Sequence, residues 1–321
     1  MIAGIVLAVL LHLSFGSHYV FSPLEVIRLI FSEPVGDEMQ RNSIVLWELR
    51  LPRALGSILI GANLAVVGAC FQALFRNPLA DPYVVGVSSG AAVGGVLALL
   101  FGLSAGWGFG SMGFAFLTAI AALGLVMLIA RAQGALNLST LLIAGVAVGS
   151  FLWALVTFLL MSSGQDAGKV LFWLLGDMRA ITFQRIMSLS VITTLGFFLL
   201  WKNGKALTLF SVDEGSAANM GVSTERVKWT VLLTGSAMAA SAVAAVGIIG
   251  FVGLFVPHIA RRIVGAQLTI LIPASAILGA AILLIADLIA MRAIPGVEIN
   301  IGIVTALIGA PFLLVLLRSK R

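Results

Sequence analysis

Ala54-Leu-Gly-Ser-Ile-Leu-Ile-Gly-Ala-Asn-Leu-Ala-Val-Val-Gly-Ala-Cys-Phe-Gln-Ala-Leu-Phe75 is a run of 22 residues without a charge, closed by Arg53 on one side and Arg76 on the other. A membrane helix needs about 20 mostly apolar residues, so this stretch reads as one span. Working outward, further charge-free runs cover 82–130, 132–165, 186–201, 229–260, 263–286 and 299–317, and residues 1–15 are apolar as well. The run 82–130 is too long for one helix and is cut by Gly102, Gly106, Gly108, Gly110 and Gly113, which leaves spans near 84–101 and 114–130. The run 229–260 is broken by Gly247, Gly250, Gly253 and Pro257, giving a full helix at 229–249 and a shorter one near 254–264. The expectation is an all-α polytopic membrane protein of ten transmembrane helices, a single domain over 1–321.

Composition excludes the soluble alternatives. Of the 321 residues, 60% are hydrophobic and 10% charged, with a mean hydropathy of +1.14, against about 25% charged in a soluble domain. A soluble enzyme, a nucleic-acid binder and a disordered chain are therefore ruled out. The net charge of +6 comes from basic residues that form no run. Cys70 is the sole cysteine, so neither an internal disulfide nor a cysteine metal cluster is available, and the histidines are His12, His18 and His258. The first apolar segment begins at Met1 with almost no lead. Without a basic n-region or a small-residue cleavage site it reads as a span and not a signal peptide.

Numbering the loops alternately separates the charges. One side collects Arg76, Arg131, Lys202, Lys205, Arg226, Lys228, Arg261, Arg262, Arg318, Lys320 and Arg321 against four acids, net +7, and the other is net −1. The basic side is cytoplasmic by the positive-inside rule, which places both termini there. Three connections are long: 16–53 outside, 162–185 outside with the short apolar piece Val170–Gly176, and 202–228, the largest cytoplasmic loop. No 20–50-residue period repeats.

Phosphate-binding G-x-x-x-x-G-K-[ST], H-E-x-x-H and C-x-x-C patterns do not occur. A coupled pump would want a carboxylate deep in a span; Asp287 sits towards the end of its helix. A membrane enzyme would want an acid/base or metal constellation, and none is visible. What remains is a pathway whose energy arrives from a partner.

Arg50-Leu-Pro-Arg53, Gln72-Ala-Leu-Phe-Arg-Asn-Pro-Leu-Ala-Asp-Pro82, Gly86-Val-Ser-Ser-Gly-Ala-Ala92, Gly247-Ile-Ile-Gly-Phe-Val-Gly-Leu-Phe-Val-Pro-His-Ile-Ala-Arg261 and Gly302-Ile-Val-Thr-Ala-Leu-Ile-Gly-Ala-Pro311 follow in order. Together they resemble the permease family of ABC importers for iron–siderophore, haem and cobalamin, from about residue 45 to the C-terminus. The resemblance implies ten helices, a homodimer in the cell membrane, two separate ATP-binding subunits on the cytoplasmic face and an extracytoplasmic substrate-binding protein. It implies no resident cofactor or metal, and no catalysis by this chain.

Arg50 and Arg53 share one helix face by their i, i+3 spacing. Read from the residues alone they are interfacial anchors or docking groups in equal measure; the resemblance implies docking, in which an arginine fork pairs with a carboxylate of the binding protein. Arg292, after Ala286-Asp287, joins them one position late in the pattern. Val212-Asp-Glu-Gly-Ser-Ala-Ala-Asn-Met-Gly-Val222 reads as a short helix, with Asp213 and Glu214 at its positive end, Gly221 at its stop and Ser223 capping the next helix. By itself this is a solvated turn or a contact helix. The resemblance makes it the coupling helix, with Val212, Asp213, Glu214, Gly215, Ala217, Ala218, Met220 and Gly221 facing the ATPase and the small residues, Ser216 among them, permitting close approach.

Gly86, Gly90, Gly94, Gly145 and Gly149 recur at four-residue spacing and suit close helix packing. The resemblance implies a pathway along the fifth span and the short external piece, with Thr140, Ser150, Thr157, Trp173 and Leu174 as candidates. Asn63, Gln72 and Asn300 read as interhelical hydrogen-bonders and His258 as a packed helix-end histidine. The cargo implied is a metal chelate: an iron complex (siderophore or haem) first, cobalamin second. The rival class is a secondary transporter without an ATPase, which has no need of the 202–228 loop.

Overall fold

The computed structural model describes residues 2–16, 20–32, 36–103, 109–131 and 136–318. Gly106, Gly108, His18, Lys320 and Arg321 lie outside them. The helices in chain order are α1 (Ile2–Ser14), α2 (Pro23–Phe31), α3 (Asp37–Ile44), α4 (Leu51–Leu74), α5 (Val87–Leu100), α6 (Phe109–Ala130), α7 (Leu138–Ser162), α8 (Ala167–Leu174), α9 (Phe183–Lys202), α10 (Gly204–Val212), α11 (Glu214–Asn219), α12 (Thr224–Val246), α13 (Val252–Val264), α14 (Leu268–Arg292) and α15 (Ile301–Arg318). Among the described residues there is no strand, only the isolated bridges Phe15–Val20 and Ile294–Val297.

Each expected apolar run carries a helix: α1, α4, α5, α6, α7, α9, α12, α13, α14 and α15. Among the described residues six helices are long and apolar enough to cross a membrane: Asp37–Leu74, Gly110–Ala130, Leu138–Ser162, Phe183–Lys202, Thr224–Val246 and Leu268–Arg292. The others are shorter; α1, at 13 residues, is only ~20 Å long at 1.5 Å per residue. Boundaries shift where glycine was read as a breaker. α6 begins at Phe109, so Gly110 and Gly113 lie inside a helix, and α12 stops at Val246.

α4 is the axis. It continues α3 through a π segment, Val45–Arg50, into one helix of 38 residues. Its second half, from Leu64 to Leu74, is buried on every face, wrapped by α9, α12, α13 and α14. A helix with no polar side cannot face water, and this one needs small residues to let so many neighbours in. Gly61 meets Gly279 of α14 so closely that a Cβ on either would overlap the opposing backbone; a Cβ on Gly68 would overlap the backbone of Gly253 in α13, and one on Gly253 would strike the Pro82 ring. Of the glycines expected in packing, Gly90 and Gly94 do seat α6, and Gly145 seats the backbone at Val84. Gly86 instead begins α5 in the left-handed region (φ 81°), and Gly149 has only Ser89 Oγ nearby at 3.6 Å.

Polar groups inside the bundle tie helices together. Asn63 Nδ2 donates to Thr193 Oγ1 (3.0 Å) and Ser241 Oγ (3.4 Å), joining α4 to α9 and α12, and Gln72 Nε2 donates to the Leu254 carbonyl (2.9 Å), joining α4 to α13. Asn300 Nδ2 donates to the Phe172 carbonyl at 2.6 Å. Between α12 and α13 the chain unwinds, and Phe251 starts α13 at φ 68°, a region that bulky side chains avoid. The carbonyls of this break stay occupied: Asp177 N donates to Val246 O (2.7 Å) and Tyr83 Oη to Ile249 O (3.1 Å). Outside, α7 and α15 present Phe158, Met161, Leu307 and Leu314, each about two-thirds exposed or more, a surface suited to lipid or another apolar helix.

Candidate functional site

The two ends of α4 carry the charged clusters. At its start, Arg53 grips Asp287 of α14 with two parallel bonds, Nε to Oδ2 at 2.8 Å and Nη2 to Oδ1 at 2.9 Å, and reaches Glu298 with Nη1 at 2.8 Å. Asp287 is fully buried and also meets His12 Nε2 at 2.8 Å and Ser57 Oγ at 3.4 Å. A carboxylate so deep among apolar helices is held only because several donors converge on it. Arg50, 6% exposed, donates through Nη1 to the carbonyls of Leu13 (2.6 Å) and Ser14 (3.1 Å) and lies 4.2 Å over the Phe21 ring. Arg292 donates to the Gly16 carbonyl at 3.2 Å and stands over Phe15. The two arginines thus satisfy carbonyls at the C-terminal end of α1, where a positive charge is favoured.

Arg50 and Arg53, for which the resemblance implies docking, both stand at the start of α4. The pair does share a face, and both line one cavity of about 260 Å³ with His12, Glu48, Arg179 and Glu298, but each is already engaged within the chain. Sequence reasoning missed His12, Arg179 and Glu298. Arg179, 46% exposed, is held at 2.7 Å by Asp177 and extends the positive rim. The available signal was Asp287 itself: a charge inside an apolar run demands a partner.

At the other end of α4 stands α11. The expected single helix from Val212 is two: α10 ends at Val212, and Asp213 breaks the path and caps α11, its Oδ2 accepting from Ser216 N at 2.6 Å. That bond, together with Arg76 at 3.9 Å, draws the Asp213 carboxyl below its ordinary value. α11 closes with Val222 N to Ala217 O (3.0 Å) and Gly221 N to Ala218 O (2.9 Å), with Gly221 at φ 84° supplying the left-handed turn. Ser223 stands before α12 but its side chain makes no capping bond. Lys228 of α12 fastens the unit, reaching Glu214 at 2.6 Å and Glu225 at 2.9 Å.

The exposed residues of α11 are the small Gly215, Ser216 and Ala218, then Asn219, with Met220 just beyond at 67% exposure and Val212 before it at 79%. Ala217 points the other way and is 1% exposed. Thr140, Ser150 and Thr157 are exposed along α7, and Thr157 Oγ1 is turned back onto the Trp153 carbonyl. Trp173 and Leu174 are half-buried, the Trp173 ring packing onto Gly95 of α5. Among the described residues no group of three or more His, Cys, Asp or Glu could hold a metal ion.

Residues 4–319 match the model of the FecCD transport family. The chain is 39% identical over 277 residues to the cobalamin import system permease protein BtuC of Halobacterium salinarum, covering 86% of this chain and 74% of that one. It is 37% identical over 277 residues to the Fe(3+)-citrate import system permease protein YfmE of Bacillus subtilis, covering 86% and 82%. A solved inward-facing structure of a metal-chelate type ABC transporter superposes with a TM-score of 0.86 at 32% identity, over 99% of this chain and 97% of that one.

Proposed function

The chain belongs to the FecCD transport family and is a multi-pass membrane permease, a transport subunit and not an enzyme; from that premise we propose that it carries an intact metal chelate inward, an iron complex first, as the permease of a binding-protein-dependent ABC importer. All ten apolar helices cross the membrane, with both termini cytoplasmic. Two copies form the pathway. Two ATP-binding subunits sit on the α11 end, and a substrate-binding protein docks at the Arg53 end. ATP closure moves α11, and the bundle changes the side to which it opens.

The observation that carries this reading is α11: a six-residue helix capped at both ends, clamped from behind by Lys228 and presenting small side chains outward. A connection between two membrane helices needs none of this. A partner groove needs all of it, because small residues let backbones approach closely. Arginine in place of Ala218 should therefore abolish substrate-stimulated ATP hydrolysis by the assembled transporter in lipid, with the permease still folded. Ala218 is the proper site because it is exposed, whereas Ala217 is packed inside. Normal coupled uptake by Ala218→Arg would remove α11 from the mechanism.

Support for an iron complex comes from the likeness to an Fe(3+)-citrate permease; the likeness to a cobalamin permease favours cobalamin as the second reading. Along α7, Thr140, Ser150 and Thr157 offer hydroxyls and no carboxylate or imidazole, a weakly binding strip suited to a chelate carried whole. Proteoliposomes bearing the assembled transporter should take up labelled ferric chelate, and not uncomplexed Fe³⁺, when the binding protein is supplied. Uptake of cobalamin alone would decide for the second reading.

A further inference from the structure

At the α11 end of the bundle a cavity of about 410 Å³ opens between the end of α4, the end of α10 and α13. Its chemistry is one-sided. Arg76, His258 and Arg261 line it, and no carboxylate does. The Arg261 guanidinium has no hydrogen bond or ion pair among the described residues, and its Nε is shut off from solvent. Arg76 has only a loose contact, 3.9 Å from Asp213, and its side chain is 42% exposed. A buried or half-buried guanidinium without a counter-charge costs free energy that a bound anion would recover.

A second observation narrows the anion. Gln72, 2% exposed, lines the same cavity. Its Nε2 is committed to the Leu254 carbonyl at 2.9 Å, which fixes the amide's orientation and leaves Oε1 buried without a partner among the described residues. The cavity therefore asks for negative charge on the arginine side and for an O–H donor at Gln72. A carboxylate or a sulfate brings the charge without the donor. Hydrogen phosphate brings both, and so does the headgroup of phosphatidylglycerol, whose phosphate carries the charge and whose glycerol carries hydroxyls.

We propose that this cavity is a binding site for a hydroxyl-bearing phosphate group, held by Arg76 and Arg261 and read by Gln72. Basic pockets between membrane helices are a known setting for lipid headgroups, and a free anion would use the same groups. Occupancy also bears on α11. A phosphate that engages Arg76 competes with Asp213, the residue that caps that helix, so the site couples an anion to the cap of the segment facing the partner groove.

The test uses the full-length chain, purified in neutral detergent and stripped of lipid, with native mass spectrometry and thermal unfolding as readouts. Four additions are compared at pH 7 and equal ionic strength: sodium phosphate, sodium sulfate, phosphatidylglycerol and phosphatidylcholine. Phosphate or phosphatidylglycerol should bind and raise the unfolding midpoint, while sulfate and phosphatidylcholine should bind at least about tenfold more weakly. Arg261→Gln and Arg76→Gln should each weaken binding by about the same factor. Arg76 lies on a turn, so its variant keeps the test valid if Arg261→Gln does not fold. Binding of phosphate alone assigns a free anion as the occupant, and binding of phosphatidylglycerol assigns the lipid. Equal affinity for phosphate and sulfate, no binding of either phosphate species, or undiminished binding in both arginine variants would overturn the proposal.

Discussion

Asp287 receives His12 from α1 and Arg53 and Ser57 from α4, so its removal should be felt in the fold before it is felt in function. Asp287→Ala would leave Arg53 with Glu298 alone and His12 without its acceptor. Breaking a buried pair from one side costs about 3–5 kcal/mol, and the unfolding midpoint in detergent should drop accordingly, with Asp287→Asn falling less. A midpoint within a degree of wild type in Asp287→Ala would mean that the cluster contributes nothing to stability. Asp81 makes the opposite case. Burial pushes its carboxyl up to about 6, although it accepts a bond from Tyr83 N at 2.9 Å. The folded protein then holds this proton more tightly than the unfolded chain, whose carboxyl titrates near 3.9. Stability from this residue is therefore full below about pH 4 and declines as pH rises through 6. Asp81→Asn keeps the turn bond and should flatten unfolding midpoints measured between pH 4 and pH 7.

At the scale of elements, the helices that face apolar surroundings were legible in charge-free runs, because a membrane-buried helix tolerates few charges anywhere along it. The segment 16–53 was not legible. Its mixed charges hide α2, whose N-terminus is a capping box of Ser22 and Glu25, and the π segment leaves no compositional mark. The division of α10 from α11 was readable in principle, since Asp213 is itself a favoured cap residue. It was lost because Val212 extends the apolar pattern. The arginine cluster was half legible: Arg50 and Arg53 stand out, but their partners lie 37 and 234 residues away in sequence, and no spacing rule reaches that far. Glu298 is the informative partner at this scale, joining the chain after α14 to the start of α4. If the binding protein docks by offering a carboxylate to Arg53, Glu298 occupies the same donors beforehand. Glu298→Gln should then tighten attachment of the binding protein severalfold, measured by surface binding to transporter in nanodiscs, and added salt should weaken wild-type attachment. Weaker attachment in Glu298→Gln would show that Glu298 positions Arg53 and does not compete for it.

The molecule as a whole is built around one 38-residue helix that is not uniform. Within it, Leu51 N reaches back to Leu46 O, five residues instead of four. A π turn of this kind takes up one extra residue, and in an α-helix each residue is worth about 100° of rotation. The segment is thus a slack link in the chain's angular bookkeeping. Deleting Leu49, whose side chain is exposed, should let the helix close into plain α form while Arg53 keeps its bearing on Asp287 and α3 keeps its own. Deleting Ala62, deep in α4, offers no such slack: it would swing every upstream side chain by about a third of a turn and pull Arg53 off its partners. The first variant should yield folded protein by size-exclusion profile in detergent, and the second should not. Chain length near the arginines can then change by one residue without disturbing them, a freedom that the rest of α4 lacks.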